Sequence, residues 1–173
     1  MPFPHRFVFL FLCTLVPVLL AAQQLLDDFN RSNSTTVGNP LIGAQPWVET
    51  ETAAPNAVAI NQGVLRLGST TSVINVNTSD QAVVNVSGLY NTTLNAGSCI
   101  RTWAFNMRQS RPDPGGFTGQ GYGVAMVLGG TTSNLRNGTG YAVVLGQSGN
   151  NDRLRLVRYA DGLWRDQNLT NII

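Results

Sequence analysis

What most constrains this chain is how short its apolar runs are. Beyond residue 22, stretches rich in Val, Ile, Leu and aromatic residues end after about four to eight residues. They give way to clusters of Ser, Thr, Asn, Gly and Pro such as "NRSNSTTVGNP", "RPDPGGFTGQG" and "GGTTSNLRNGTG". No stretch there sustains a 3.6-residue apolar period over the length of a helix. The pattern predicts an all-β chain, with strands at Leu25–Phe29, Trp47–Glu51, Ala57–Asn61, Val64–Leu67, Gln81–Val86, Cys99–Arg108, Tyr122–Leu128, Tyr141–Leu145 and Arg153–Tyr159.

Alternation within the runs indicates antiparallel sheets with one dry and one wet face. In "CIRTWAFNMR" residues Cys99, Trp103, Phe105 and Met107 share a face, with Arg101 as the polar exception, while Thr102, Asn106 and Arg108 share the other. In "RLRLVRY" the leucines Leu154 and Leu156 oppose Arg153 and Arg155, which predicts a leucine side turned inward. "GVAMVLGG" and "YAVVLG" are apolar throughout and read as central strands covered on both faces. The "NQG" between "AVAI" and "VLRL" predicts a tight hairpin in which Gly63 supplies a positive φ.

The start of the chain reads as an address rather than as fold. Arg6 precedes the apolar run Phe7–Leu20, which is followed by Ala21 and Ala22, the three-part plan of a secretory signal peptide over residues 1–22. The run is shorter than the about 20 apolar residues of a comfortable membrane span. Residues 23–173 are enough for one domain with a core. Of Cys13 and Cys99, only Cys99 would remain after cleavage, so no intrachain disulfide is expected in an exported form. The formal net charge of +2 falls by one when Arg6 leaves, and that balance argues against nucleic acid as a partner.

Two missing side chains narrow the chemistry. The only His is His5, inside the signal, and the chain contains no Lys. Ser-His-Asp and Cys-His catalysis, His-ligated zinc and Schiff-base chemistry are thereby excluded for the exported form. Carboxylates, Tyr, Arg and hydroxyls remain. "GQGYGV" and "GTGYAV" imitate dinucleotide fingerprints, but each runs into a strand pattern rather than a helix that would receive a pyrophosphate.

In the order in which they occur, "LLDDFNRSNSTTVG", "WVETE", "NQGVLRLG", "WAFNMRQSRPDPGGFTGQGYGVAMVL" and "GTGYAVVLGQSGNNDRLRLVRYADGL" resemble the concanavalin A-like (laminin G-like) jelly-roll domains of large secreted bacterial surface proteins. The likeness spans nearly all of the chain beyond the signal and is strongest over residues 99–164. It implies a two-sheet antiparallel jelly-roll sandwich and, more loosely, glycan binding or adhesion. Domains of that type close with further strands beyond "RDQNLTNII". The expectation is therefore an incomplete domain, the first part of a longer surface protein that in such systems carries a C-terminal sorting domain.

Candidate ligand-binding residues are aromatics near turns with amides and charges beside them. Sugar rings stack their apolar faces on Trp, Tyr or Phe, and a few convergent polar groups satisfy the hydroxyls. Phe117, Tyr122 and Trp164 fit the first role, and Asn150, Asn151, Asp152 and Arg165 the second. Trp47, Trp103 and Phe105 read as core. Asp27 and Asp28 in "LLDDF" are a candidate calcium pair, since hard cations take carboxylate oxygens, although no Asp-x-Asp-x-Asn-Gly loop accompanies them. Glu49 and Glu51 lie about 7 Å apart on one strand face by the strand rise, not far from the about 5 to 5.5 Å of a retaining glycosidase pair. The third acid of the Glu-x-Asp-x-x-Glu strand known in such enzymes is missing.

These features make a non-catalytic, exported carbohydrate-binding or adhesive module the leading expectation, with a glycan or extracellular polysaccharide as partner. The rival is a polysaccharide-degrading enzyme, a lyase with Tyr122 or Tyr141 as base and Arg101 or Arg108 neutralising a uronate. A structural spacer is the third reading. Seven sequons begin at Asn30, Asn33, Asn77, Asn85, Asn91, Asn137 and Asn168 and mark an Asn-, Thr- and Ser-rich surface.

Overall fold

The computed structural model describes residues 25–42, 45–52, 55–68, 80–88, 102–109, 123–147 and 153–173. These residues form antiparallel sheets with almost no helix, as the short-run pattern requires. The strands are β1 (Val48–Glu51), β2 (Val58–Asn61), β3 (Val64–Leu67), β4 (Asp80–Val83), β5 (Val124–Gly130), β6 (Gly140–Leu145), β7 (Leu154–Tyr159) and β8 (Leu169–Asn171). A 3-10 turn, Asp166–Asn168, leads into β8. Among the described residues no helix is long and apolar enough to cross a membrane.

The first half of the chain builds a small core from two ribbons. β1 pairs with β4, and β2 pairs with β3 in the register Val58↔Leu67 to Asn61↔Val64. The β2–β3 turn has both central residues at positive φ, Gln62 at 53° and Gly63 at 73°. That is the type I′ geometry whose twist matches the strands it joins. Ser34 exchanges two backbone bonds with Ile60, so the N-terminal segment lines the other edge of β2. Val37, Val58 and Ile60 are buried together, with Phe29, Trp47, Leu65 and Ala82 packed against them. Each such aliphatic side chain contributes about 1.5–3 kcal/mol by leaving water.

Leu25–Phe29 is not a strand, and the reason is local. Asp27 accepts the Phe29 N–H and Asp28 accepts the Asn30 N–H, both at 2.9 Å, and Phe29 takes a φ of 55°. Short acidic side chains that bond backbone two residues ahead compete with a strand ladder.

The second half is a four-stranded sheet in the order β5-β6-β7-β8. A register shift between Val127 and Gly129 bulges β5. Ala142, Val144, Val157, Tyr159 and Leu163 form its buried cluster, joined by Ala125, Val127 and Leu169. The Tyr159 ring fits because its neighbours lack side chains: a Cβ on Gly130 or Gly140 would lie 2.3 or 2.5 Å from the phenol oxygen. Burial raises the Tyr159 pKa above its ordinary value.

The facing of β7 reverses the sequence expectation. Arg155 is 8 % exposed and shares the inner face with Val157 and Tyr159, whereas Leu154 is 62 % exposed. Arg155 is accommodated because its guanidinium reaches the Gly146 carbonyl at 3.0 Å and the Asp166 carboxylate at 3.1 Å. The predicted Cys99–Arg108 strand is also not found in its described part, since residues 102–109 carry no ladder. Phe105 and Met107 remain less exposed than their neighbours there, and Trp103, core by its place in the sequence pattern, is exposed. This segment lies against Leu145 and Leu154, with which it lines an open cleft. β5 and β6, expected to be covered on both faces, have an outer face only partly shielded, where Tyr141 is exposed.

Candidate functional site

Two loops meet at one end of the four-stranded sheet. The β5–β6 connection, residues 131–139, docks onto the β7–β8 connection, residues 160–168, through two backbone hydrogen bonds. Gly162 N–H donates to the Gly138 carbonyl at 2.9 Å and Leu163 N–H to the Leu135 carbonyl at 2.7 Å. Leu163 then fills the sheet core from the loop side. Gln81 on β4 accepts the Leu135 N–H at 2.9 Å and ties the same loop to the first half of the chain.

On this platform stands Trp164. Its indole N–H donates to the Asp161 carbonyl at 3.1 Å, which fixes the ring. Arg165 lays its guanidinium carbon 3.5 Å from the ring centroid and Arg136 places its own at 5.3 Å. Both lie within the about 6 Å over which a cation is drawn to an aromatic face. The Asn168 amide donates to the Asp161 and Gly162 carbonyls at 2.9 and 3.1 Å, closing the turn beneath the ring. Trp164 and Arg165 are both legible as candidates in the sequence. Arg136 is not, because "NLRNGTG" reads as a connector, and only the docking of the loops sets it against Trp164. The stack also changes the role expected of Trp164: a guanidinium covers a face that a sugar ring was expected to use.

The other candidates divide into two groups. Phe117, Tyr122, Asn150, Asn151 and Asp152 lie outside the described residues, as does Arg101. The acids, by contrast, are placed and already engaged. Asp27, with its side chain 1 % exposed, receives both terminal nitrogens of Arg31 at 2.9 Å, the Trp47 indole N–H at 2.8 Å and the Phe29 N–H. Asp28 bonds the Asn30 N–H. Calcium wants six to eight oxygens, and a calcium ion on Asp27 would have to displace the guanidinium that now neutralises it. Among the described residues no three His, Cys, Asp or Glu converge on a metal position. Glu49 accepts the Val37 N–H, and Glu51 accepts the Asn56 and Val58 N–H groups at 2.8 and 2.9 Å. Both glutamates therefore tie strand ends to neighbouring backbone.

The two glycine-rich decoys both run into strands. Val124 opens β5, and Gly140 opens β6 after a Gly138 at φ 76°, so neither leads into a helix N-terminus. No family model matches the chain, and neither do any curated proteins or solved structures.

Proposed function

We propose that this protein is an exported, non-catalytic carbohydrate-binding or adhesive module of a cell-surface protein, built on a concanavalin A-like jelly roll. The observation that supports the reading is the Arg136–Trp164–Arg165 cluster on loops braced by the sheet, while Asp27, Glu49 and Glu51 are spent on holding the fold together. Binding sites of this kind need rigid scaffolding beneath a few polar and aromatic groups on loops. Immobilised glycans probed with the exported chain test it: retention on a defined subset, weakened about tenfold or more in Trp164→Ala, is the expected result. Failure to retain any glycan overturns it.

One observation favours the enzymatic rival. Tyr141, 51 % exposed, is the register partner of Arg158 on the outer face of β6 and β7. A phenol and a guanidinium side by side can take a proton and neutralise a uronate, and Arg158 is an arginine beside it. Incubation with uronate polymers, followed by absorbance of the unsaturated product, decides this: turnover abolished in Tyr141→Phe would establish a lyase, and no turnover removes the reading.

A further inference from the structure

The chain holds more sequons than its composition requires. It has 17 Asn, and 26 of its 173 residues are Ser or Thr, so a random order of the same residues would place fewer than half of the seven Asn-x-Ser/Thr triplets present. Five of them, at Asn30, Asn33, Asn85, Asn137 and Asn168, fall on described residues, and they differ in what each carboxamide does. Asn33 is exposed, and its Oδ1 accepts the Gln62 N–H at 2.8 Å. Asn85 is exposed just beyond β4, and its Oδ1 accepts the Ser87 N–H at 2.9 Å. In both, the oxygen is tied to backbone while, among the described residues, Nδ2 has no acceptor. Asn137, exposed on the β5–β6 connection, has neither carboxamide atom engaged among the described residues. Asn168 is the opposite case. It is half-buried, and its Nδ2 donates to the Asp161 carbonyl at 2.9 Å and the Gly162 carbonyl at 3.1 Å, so both of its N–H groups are spent.

We propose that Asn33, Asn85 and Asn137 carry N-glycans in the exported protein and that Asn168, although it heads an intact sequon, does not. Modification requires the export that the signal segment implies, whatever the module binds. In the transfer, Nδ2 bonds to the anomeric carbon of a sugar carried as its lipid-linked diphosphate. The bond from that carbon to the diphosphate oxygen breaks, and Nδ2 gives up one of its two protons. The product keeps one N–H and gains a bulky, solvated chain, which suits an asparagine on the surface. At Asn33, Asn85 and Asn137 the lost proton forfeits no hydrogen bond among the described residues, and the Oδ1 bonds of the first two survive. At Asn168 the lost proton is one of the two that close the turn beneath the Trp164 ring, and a sugar on Nδ2 would have to stand where two backbone carbonyls lie. A chain modified there cannot close that turn, so the folded protein carries no glycan on it. Asn30 is exposed as well, but it borders the same β2–β3 turn as Asn33, its Oδ1 lying 3.5 Å from where a Cβ on Gly63 would sit. A glycan on Asn33 crowds out a second one three positions earlier. Asn77 and Asn91 lie outside the described residues.

The full chain, signal included, is expressed in a secreting eukaryotic cell line, and the secreted product is treated with the amidase that strips N-glycans and converts each modified Asn to Asp. Peptide mass spectrometry then reads every site, with an untreated sample to account for spontaneous conversion. Thr35→Ala, Ser87→Ala, Thr139→Ala and Thr170→Ala each remove one sequon without altering its asparagine. The expected result is conversion at positions 33, 85 and 137 and none at 168. Each of the first three substitutions should take one step from the mass ladder of the secreted chain, and Thr170→Ala should take none. Any of the three sites found unmodified is struck from the proposal. All three unmodified in a secreted chain whose signal has been cleaved overturns it and leaves export standing. A glycan on Asn168 of the folded, secreted chain overturns the exclusion. A chain kept in the cytosol with its signal attached overturns export and glycosylation together.

Discussion

Replacing Gly162 with alanine is expected to drive apart the two loops that carry the arginine–tryptophan stack and to lower stability by about 3 kcal/mol. The position admits no side chain for two independent reasons. Its φ is +92°, a conformation that L residues rarely adopt, and an added Cβ would stand 2.0 Å from the Arg136 carbonyl oxygen and 2.1 Å from its carbon. The obstacle is backbone, not the end of a flexible side chain, so relief requires the loops to separate. Separation breaks the Gly162–Gly138 and Leu163–Leu135 bonds, withdraws Leu163 from the core and carries Arg136 away from Trp164. In a chain of this size the loss corresponds to about 6–12 °C in Tm. Calorimetry reads the stability, and Trp164 emission reads the stack. Gly88→Ala is the control, since nothing lies within 4 Å of its added Cβ, and it should stay within about 0.5 kcal/mol of the parent. A Gly162→Ala chain that melts with the parent would show that the loops are not docked in solution.

That one glycine explains why the site is only half legible in the sequence. Local signals identify Trp164 and Arg165, which adjoin a turn, but nothing local ties them to Arg136, nearly thirty positions earlier in the chain. The link is a contact between loop backbones, which leaves no trace in hydrophobic pattern. Strand positions fare better for the same physical reason in reverse: runs such as "VAIN" and "VLRL" around "QG" carry both their pairing and their turn chemistry within a few residues, and β2 and β3 form as expected. Facing does not come with them. Alternation in "RLRLVRY" separates two sides but does not say which is inner, and hydrophobicity favours the leucines. Arg155 goes inward because Gly146 and Asp166 meet it there, partners that the strand itself does not contain. "LLDDF" misleads in another way, since its apolar and polar order suits a strand while its two aspartates fold it by capping backbone ahead of them.

Asp27 is the group whose loss should be felt most in the first half of the chain, and its effect should depend on pH. Its buried carboxylate collects donors from three places: the Arg31 guanidinium, the Trp47 indole and the Phe29 backbone. The Phe29 and Trp47 rings pack at 5.5 Å and Arg31 lies over Phe29, so one carboxylate orders the whole segment against β1 and β2. Asp27→Ala strands all three donors and is expected to cost about 2–3 kcal/mol, at the lower end for a buried pair because Arg31 keeps partial access to water. Burial alone would raise the Asp27 pKa, but the Arg31 bonds, the Phe29 N–H and the Trp47 N–H outweigh it and leave the pKa below the ordinary carboxylate value. A carboxyl depressed in the folded state contributes stability that is complete above its unfolded pKa and vanishes as pH falls through the lower, folded one. The parent should therefore hold the Trp47 environment from neutral pH down through the ordinary carboxylate range and lose it only in stronger acid. Asp27→Asn, which cannot ionise, should lose stability at neutral pH and show a shallower dependence on acid than the parent. Pairing Asp27→Ala with Arg31→Met should recover part of the loss, because the second change removes the uncompensated cation that the first creates. Acid titrations of Tm for the parent and Asp27→Asn that run parallel would mean that the carboxylate is solvated rather than clasped, and the segment would then owe its order to the Phe29–Trp47 contact and its backbone bonds.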